Sequence, residues 1–96
     1  MTNLVLTRKA GQSVRLIIGD KTEYVEILEV TGGFCQMKLT VSDRQKTERV
    51  RFRDSMQIAE GVSVQVVDLA KGHAKLNFTA PREVQIRRTE LIKEDV

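Results

Sequence analysis

At 96 residues the chain can build one compact core but not two ordinary domains. Sixteen Lys and Arg against thirteen Asp and Glu leave a formal net charge of +3, compatible with an anionic partner without identifying one. One cysteine and one histidine exclude an intrachain disulfide and an ordinary zinc site, and 4% aromatic residues argue against a base-stacking platform.

Taken in order, the predicted elements are short, rich in β-branched residues and of period two. The runs are "LVLT", "VRLII", "EYVEILEV", "FCQMKLTV", "RVRFR", "VSVQVVDL", "HAKLNFT" and "VQIRR", separated mostly by Gly or polar turns such as "GD", "TGG" and "KG". Cys35, Met37, Leu39 and Val41 share one face of their strand, opposite Gln36, Lys38 and Thr40. Ala74, Leu76 and Phe78 likewise oppose Lys75 and Asn77. Such alternation predicts antiparallel strands with one buried and one wet face. Only "RTELIKEDV" reads as helix, capped by Thr89 and spanning about residues 89–95. The expected fold is mostly β: a small antiparallel sandwich or barrel with a short C-terminal helix.

The segment Val25–Val41, "VEILEVTGGFCQMKLTV", aligns without a gap on Val64–Ala80, "VQVVDLAKGHAKLNFTA". This suggests duplication of a small β unit. One domain is expected over residues 1–96: a first strand at 3–9, a first repeat at about 14–53 and a second at about 56–88. Beyond the aligned segment each unit is read as continuing through a loop, "SDRQKTE" being longer than "PRE", into a basic strand, Arg49–Arg53 in the first and Val84–Arg88 in the second. Arg49, Arg51 and Arg53 would then share one face, with Val50 and Phe52 on the other.

Enzymatic chemistry finds little support. Cys35 and His73 lie in opposite strand phases of different repeats, the acidic residues are scattered among bases, and no phosphate-cradling glycine fingerprint is present. No cofactor or metal is expected. The longest apolar runs fall short of a membrane span, and the start lacks a signal peptide's apolar stretch, so a cytoplasmic location without membrane attachment is expected.

The N-terminal "LVLTRKAGQS" and the later "GHAKLNFTAPREVQIRRTEL" resemble two motifs of the carbon storage regulator (CsrA/RsmA) family, small bacterial RNA-binding proteins. The resemblance covers Leu4–Ser13 and about Ile58–Leu91. It implies strands one to five plus a C-terminal helix, an interleaved dimer, and RNA sites that join the first strand of one subunit to the fifth of the other. It also implies binding of GGA in hairpin loops of messenger or small RNA, with effects on translation or message stability. This chain departs from the pattern through an extra segment at roughly residues 19–55, read as a divergent copy of the central strands. The first strand would occur once, and the first copy would lack an Ala-Pro loop and a helix. One polypeptide could then supply both halves of the sandwich as a monomeric pseudo-dimer, a homodimer being the alternative.

Unpaired RNA bases are read by donors and acceptors at fixed positions, with cations near phosphate. Leu6, Thr7 and Arg8 would offer main-chain groups from an edge strand. Thr79, Ala80, Pro81 and Arg82 would hold further carbonyls, since Pro81 fixes its own φ and restricts Ala80. Val84 and Ile86 would form an apolar wall ending at Arg88, whose fork suits phosphate or a guanine edge. Arg8, Lys9 and Arg87 would add a salt-sensitive term. Arg49, Arg51 and Arg53 are expected to make at most secondary phosphate contact. The competing reading is a protein-interaction module with weakened RNA binding, or a one-site competitor of two-site relatives.

Overall fold

The computed structural model describes residues 2–41, 44–70 and 72–88. These described residues form nine strands: β1 (Thr2–Lys9), β2 (Ser13–Ile18), β3 (Lys21–Val30), β4 (Phe34–Val41), β5 (Arg44–Arg51), β6 (Ser55–Ala59), β7 (Val62–Ala70), β8 (His73–Ala80) and β9 (Gln85–Arg88). The helix expected at residues 89–95 lies outside the described residues.

The strands form two antiparallel sheets, one ordered β1-β8-β7-β6 and the other β5-β4-β3-β2-β9. Alternation along each strand sends one set of side chains into a single core shared by both sheets. From one sheet come Leu6, Met56, Val64, Val66, Ala74, Leu76 and Phe78; from the other come Val14, Leu16, Val25, Ile27, Cys35, Met37 and Leu39. The faces assigned from the sequence to β4 and β8 are the buried ones. The "TGG" segment is a tight hairpin turn, in which Thr31 Oγ1 accepts from the N–H groups of Gly33 and Phe34 at 3.1 and 3.0 Å.

The repeat is present in the pairing as well as in the sequence. Val25 pairs with Leu39 and Ile27 with Met37, just as Val64 pairs with Phe78 and Val66 with Leu76. The register then shifts at Leu28 in β3 and at Val67 in β7, the same place in both copies. Such a bulge strengthens local twist and bends the strand around the core.

The correspondence extends further than the sequence alignment, and it corrects one expectation. Cys35 pairs with Val50 and Met37 with Glu48, while the equivalent Ala74 pairs with Arg8 and Leu76 with Leu6. β5 therefore stands where β1 stands and is not the counterpart of β9. The turns that follow match too. Gly11 N–H donates to Ile27 O at 2.8 Å, and Arg53 N–H donates to the equivalent Val66 O at 2.7 Å. Ile27 N–H donates to Gln12 O at 2.9 Å, and Val66 N–H donates to Asp54 O at 3.0 Å. Each sheet accordingly mixes strands of both copies. Among the described residues, the strand lacking a counterpart is β9.

A second correction follows at the end of β5. The expected one-face array of Arg49, Arg51 and Arg53 stops at Arg51. Phe52 and Arg53 form a turn, with Arg53 at φ 72° and Phe52 exposed rather than packed inward. The turn from β5 into β6 requires a left-handed residue there, which a continuing strand cannot supply.

Candidate nucleic-acid interface

Among the described residues β1 lies at the edge of its sheet and pairs only with β8, from Thr2 opposite Ala80 to Lys9 opposite His73. One edge of its main chain is therefore free of the ladder. Leu6 and Arg8 point inward at 4% exposure each, while Val5, Thr7 and Lys9 face out. Arg8 was expected to supply solvated charge. Its side chain is instead buried, with Nε donating to the Thr7 carbonyl at 2.8 Å. The outward cation of this strand is Lys9, whose N–H donates to Gln12 Oε1 at 2.9 Å.

The Ala-Pro loop is tied to the start of β1. Ala80 is fully buried opposite Thr2, and Thr79 Oγ1 lies 2.9 Å from Asn3 Oδ1. The Pro81 ring lies on the side of Gly61 toward which a side chain would project, where a Cβ would just touch it. Val84 N–H donates to Pro81 O at 3.1 Å, closing a turn that leaves Arg82 exposed. Val84 then enters the core at 8% exposure, with Ile86 packed against it in part.

β9 adds to the free side of β2, with Gln85 opposite Ile17, Ile86 opposite Leu16, Arg87 opposite Arg15 and Arg88 opposite Val14. Arg87 is exposed and held in place by Gln85, whose Oε1 accepts from its Nε at 3.2 Å and its Nη2 at 3.0 Å. The role expected of the Arg88 side chain lies outside what the described residues show. The loop before β9 is thus anchored at the start of β1. The far end of β9 pairs with Val14, beside the turn that leaves β1.

At β5, Arg49 and Arg51 face solvent, the Arg49 guanidinium lying 5.1 Å from the Phe34 ring centre. Lys46 is engaged with Glu48 at 2.7 Å. No described strand accompanies β5 as β9 accompanies β2.

The sequence reading overlooked Asn3 and Gln85, the residues that hold Thr79 and Arg87. Gln85 was visible in principle, because a polar residue two positions before an exposed arginine shares its strand face. Asn3 was not, since its partner is far along the chain. Among the described residues no cluster of His, Cys, Asp and Glu could hold a metal ion, and no helix is long and apolar enough to cross a membrane.

Comparison with known proteins places the match on the second copy. Residues 43–95 match the model of CsrA, described as a global regulator protein family. The chain is 39% identical over 41 residues to a translational regulator CsrA of Campylobacter jejuni, covering 43% of this chain and 55% of that protein. It is 42% identical over 41 residues to a translational regulator CsrA of Clostridium novyi, covering 43% of this chain and 57% of the relative. The match thus spans about half the length of these relatives. No solved structure matches the chain significantly. The family match begins just before β5, so β5 leads the matched segment and β1–β4 precede it.

Proposed function

Because the chain belongs to the CsrA family of global regulators, we propose that it is a post-transcriptional regulator. In this reading it binds GGA-containing single-stranded or hairpin-loop RNA and changes translation or message stability. The family is one of regulators rather than enzymes. The observation that carries the reading is the pairing, within one chain, of β1 with the strand that leads into the Ala-Pro loop, Thr2 opposite Ala80, and of β9 with β2 just after the turn that leaves β1, Val14 opposite Arg88. The free main-chain edge around Leu6–Arg8 and the Thr79–Arg82 turn supply fixed donors and acceptors. Val84 and Ile86 form the base of the site, and Lys9, Arg82, Arg87 and Arg88 supply charge. Arg8, being buried, contributes its main chain and the positioning of the strand.

The same pairing supports a monomeric pseudo-dimer. β1 crosses to the sheet of the second copy, while β5 and β9 cross to that of the first, so one polypeptide interleaves its own halves. The C-terminal helix belongs to this proposal as a feature of the family.

A titration at fixed salt compares a hairpin carrying GGA in its loop with a GCA control. The GGA hairpin should bind at least tenfold more tightly, in the range of a single base-specific contact, and Arg88→Ala should remove about 1–3 kcal/mol of that binding. Equal affinity for both hairpins would remove the specific-regulator reading and favour a protein-interaction module.

A further inference from the structure

The two sheets are equivalent strand for strand except at one position. β9 covers the outer side of β2, whereas the equivalent strand β6 ends its sheet with that side unpaired among the described residues. We propose that this edge of β6 docks the fifth strand of a second polypeptide of the family. The incoming segment would be an extended, basic stretch with the pattern of β9, added antiparallel as β9 is added to β2. This inference does not depend on RNA binding.

The edge is built to accept a strand. Val66 N–H donates to Asp54 O, so the antiparallel alternation points the N–H and C=O groups of Ser55 and Gln57 away from β7. Both residues are exposed. Edge strands are ordinarily protected by charge. β1, β5 and β9 each carry arginine, while β6 reads Ser-Met-Gln-Ile-Ala and carries no charged residue.

The molecule itself shows the chemistry of the occupant. On β2 the added strand places Ile86 opposite Leu16 and Arg87 opposite Arg15. By its pairing Gln57 stands where Arg15 stands, and Ile58, which follows at the register shift between Gln57 and Ala59, takes the buried place of Leu16. An incoming β9-like strand would keep its apolar partner and escape the like-charge pairing that Arg15 imposes. Asp54 and Glu60 flank β6 and complement a basic strand. Phe52, 47% exposed at the β5–β6 turn where the first copy has Ala10, adds apolar surface beside the edge. The chain's own β9 is committed to β2 by the short loop of residues 81–84.

The test uses the isotope-labelled full chain and a peptide of residues 81–91 as probe, read by amide hydrogen exchange. Saturating peptide should slow exchange at Ser55 and Gln57 by at least about tenfold and leave Gln85–Arg88 unchanged. A peptide with Ile86→Lys should fail to bind. Gln57→Pro in the chain should abolish peptide binding, because proline is tolerated on an edge strand but removes the outward N–H. Absence of binding overturns the proposal, as does protection that appears on β2 at the expense of β9. Concentration-dependent protection of Ser55 and Gln57 without peptide, with exchange at Gln85–Arg88 unchanged, would assign the edge to β6 of a second copy and overturn the occupant named here. The exchange map of the unmodified chain decides the matter even if Gln57→Pro fails to fold.

Discussion

Arg53 is the described non-glycine residue with positive φ, at 72°, and it stands where the first copy has Gly11 at φ 91°. The left-handed region disfavours a residue bearing Cβ by roughly 1–2 kcal/mol. No heavy atom lies within 4 Å of a Cβ built on Gly11, so its replacement meets conformational strain alone. Gly11→Ala should therefore destabilise by about 1 kcal/mol in urea unfolding, after the reduced freedom of the unfolded chain is counted. Arg53→Ala changes no backbone requirement and should stay within about 0.5 kcal/mol. Equal losses at both positions would show that the turn is not what distinguishes them.

Glu23 is the other residue that its counterpart explains. It is 4% exposed with no hydrogen-bond partner for Oε2 among the described residues, and the second copy has fully apolar Val62 in its place. Burial raises its carboxyl above the ordinary 4.5, with Lys21 partly opposing. The folded state thus holds this proton more tightly than the unfolded chain, and the stability so gained is lost as pH rises through the folded value. Burial likewise pushes the Cys35 thiol from 9.0 up to about 11, so a second loss should set in as pH climbs across that interval. Glu23→Val should stabilise at pH 7 by about 1 kcal/mol, with the gain shrinking toward pH 4 where the carboxyl is protonated. A gain independent of pH would place its origin in packing rather than charge.

Among the elements, β5 shows how local pattern misleads about position. "RVRFR" and "VQIRR" are both short, alternating and basic, and on that ground they align. The partner strand decides otherwise: Val50 opposes Cys35 as Arg8 opposes Ala74, which makes β5 a second first strand. Nothing within Arg44–Arg51 encodes that choice, because strand pairing is settled by contacts distant in sequence. β5 has exposed arginines but no β9 and no Ala-Pro loop beside it. Arg49→Ala combined with Arg51→Ala should weaken RNA binding less than about threefold at physiological salt, and mainly by lowering its salt dependence. A loss of GGA preference in that double variant would make β5 a specific site.

For the whole molecule, one complete β1–β9 combination per chain predicts one tightly bound RNA per chain, whether or not chains associate. Calorimetric titration with a GGA hairpin reads this directly, and two equivalent RNAs per chain would contradict it. Under the proposed function, a chain with one site forgoes the avidity of bridging two elements of one RNA and competes with a two-site protein only at higher concentration.

Eight of the nine described strands, all but β6, together with the buried faces of β4 and β8 and the repeat of Val25–Val41 in Val64–Ala80, were legible in the sequence. Each depends on neighbours one or two residues away: alternation, turn-forming glycines, and a proline that restricts its predecessor. The burial of Arg8, the standing of β5 as a second β1, and the edge of β6 that no described strand covers were not. Those features arise where segments tens of residues apart meet. The amino-acid order specifies which face of a strand is apolar, but only the assembled sheets decide which strand lies beside it and which edge is left open.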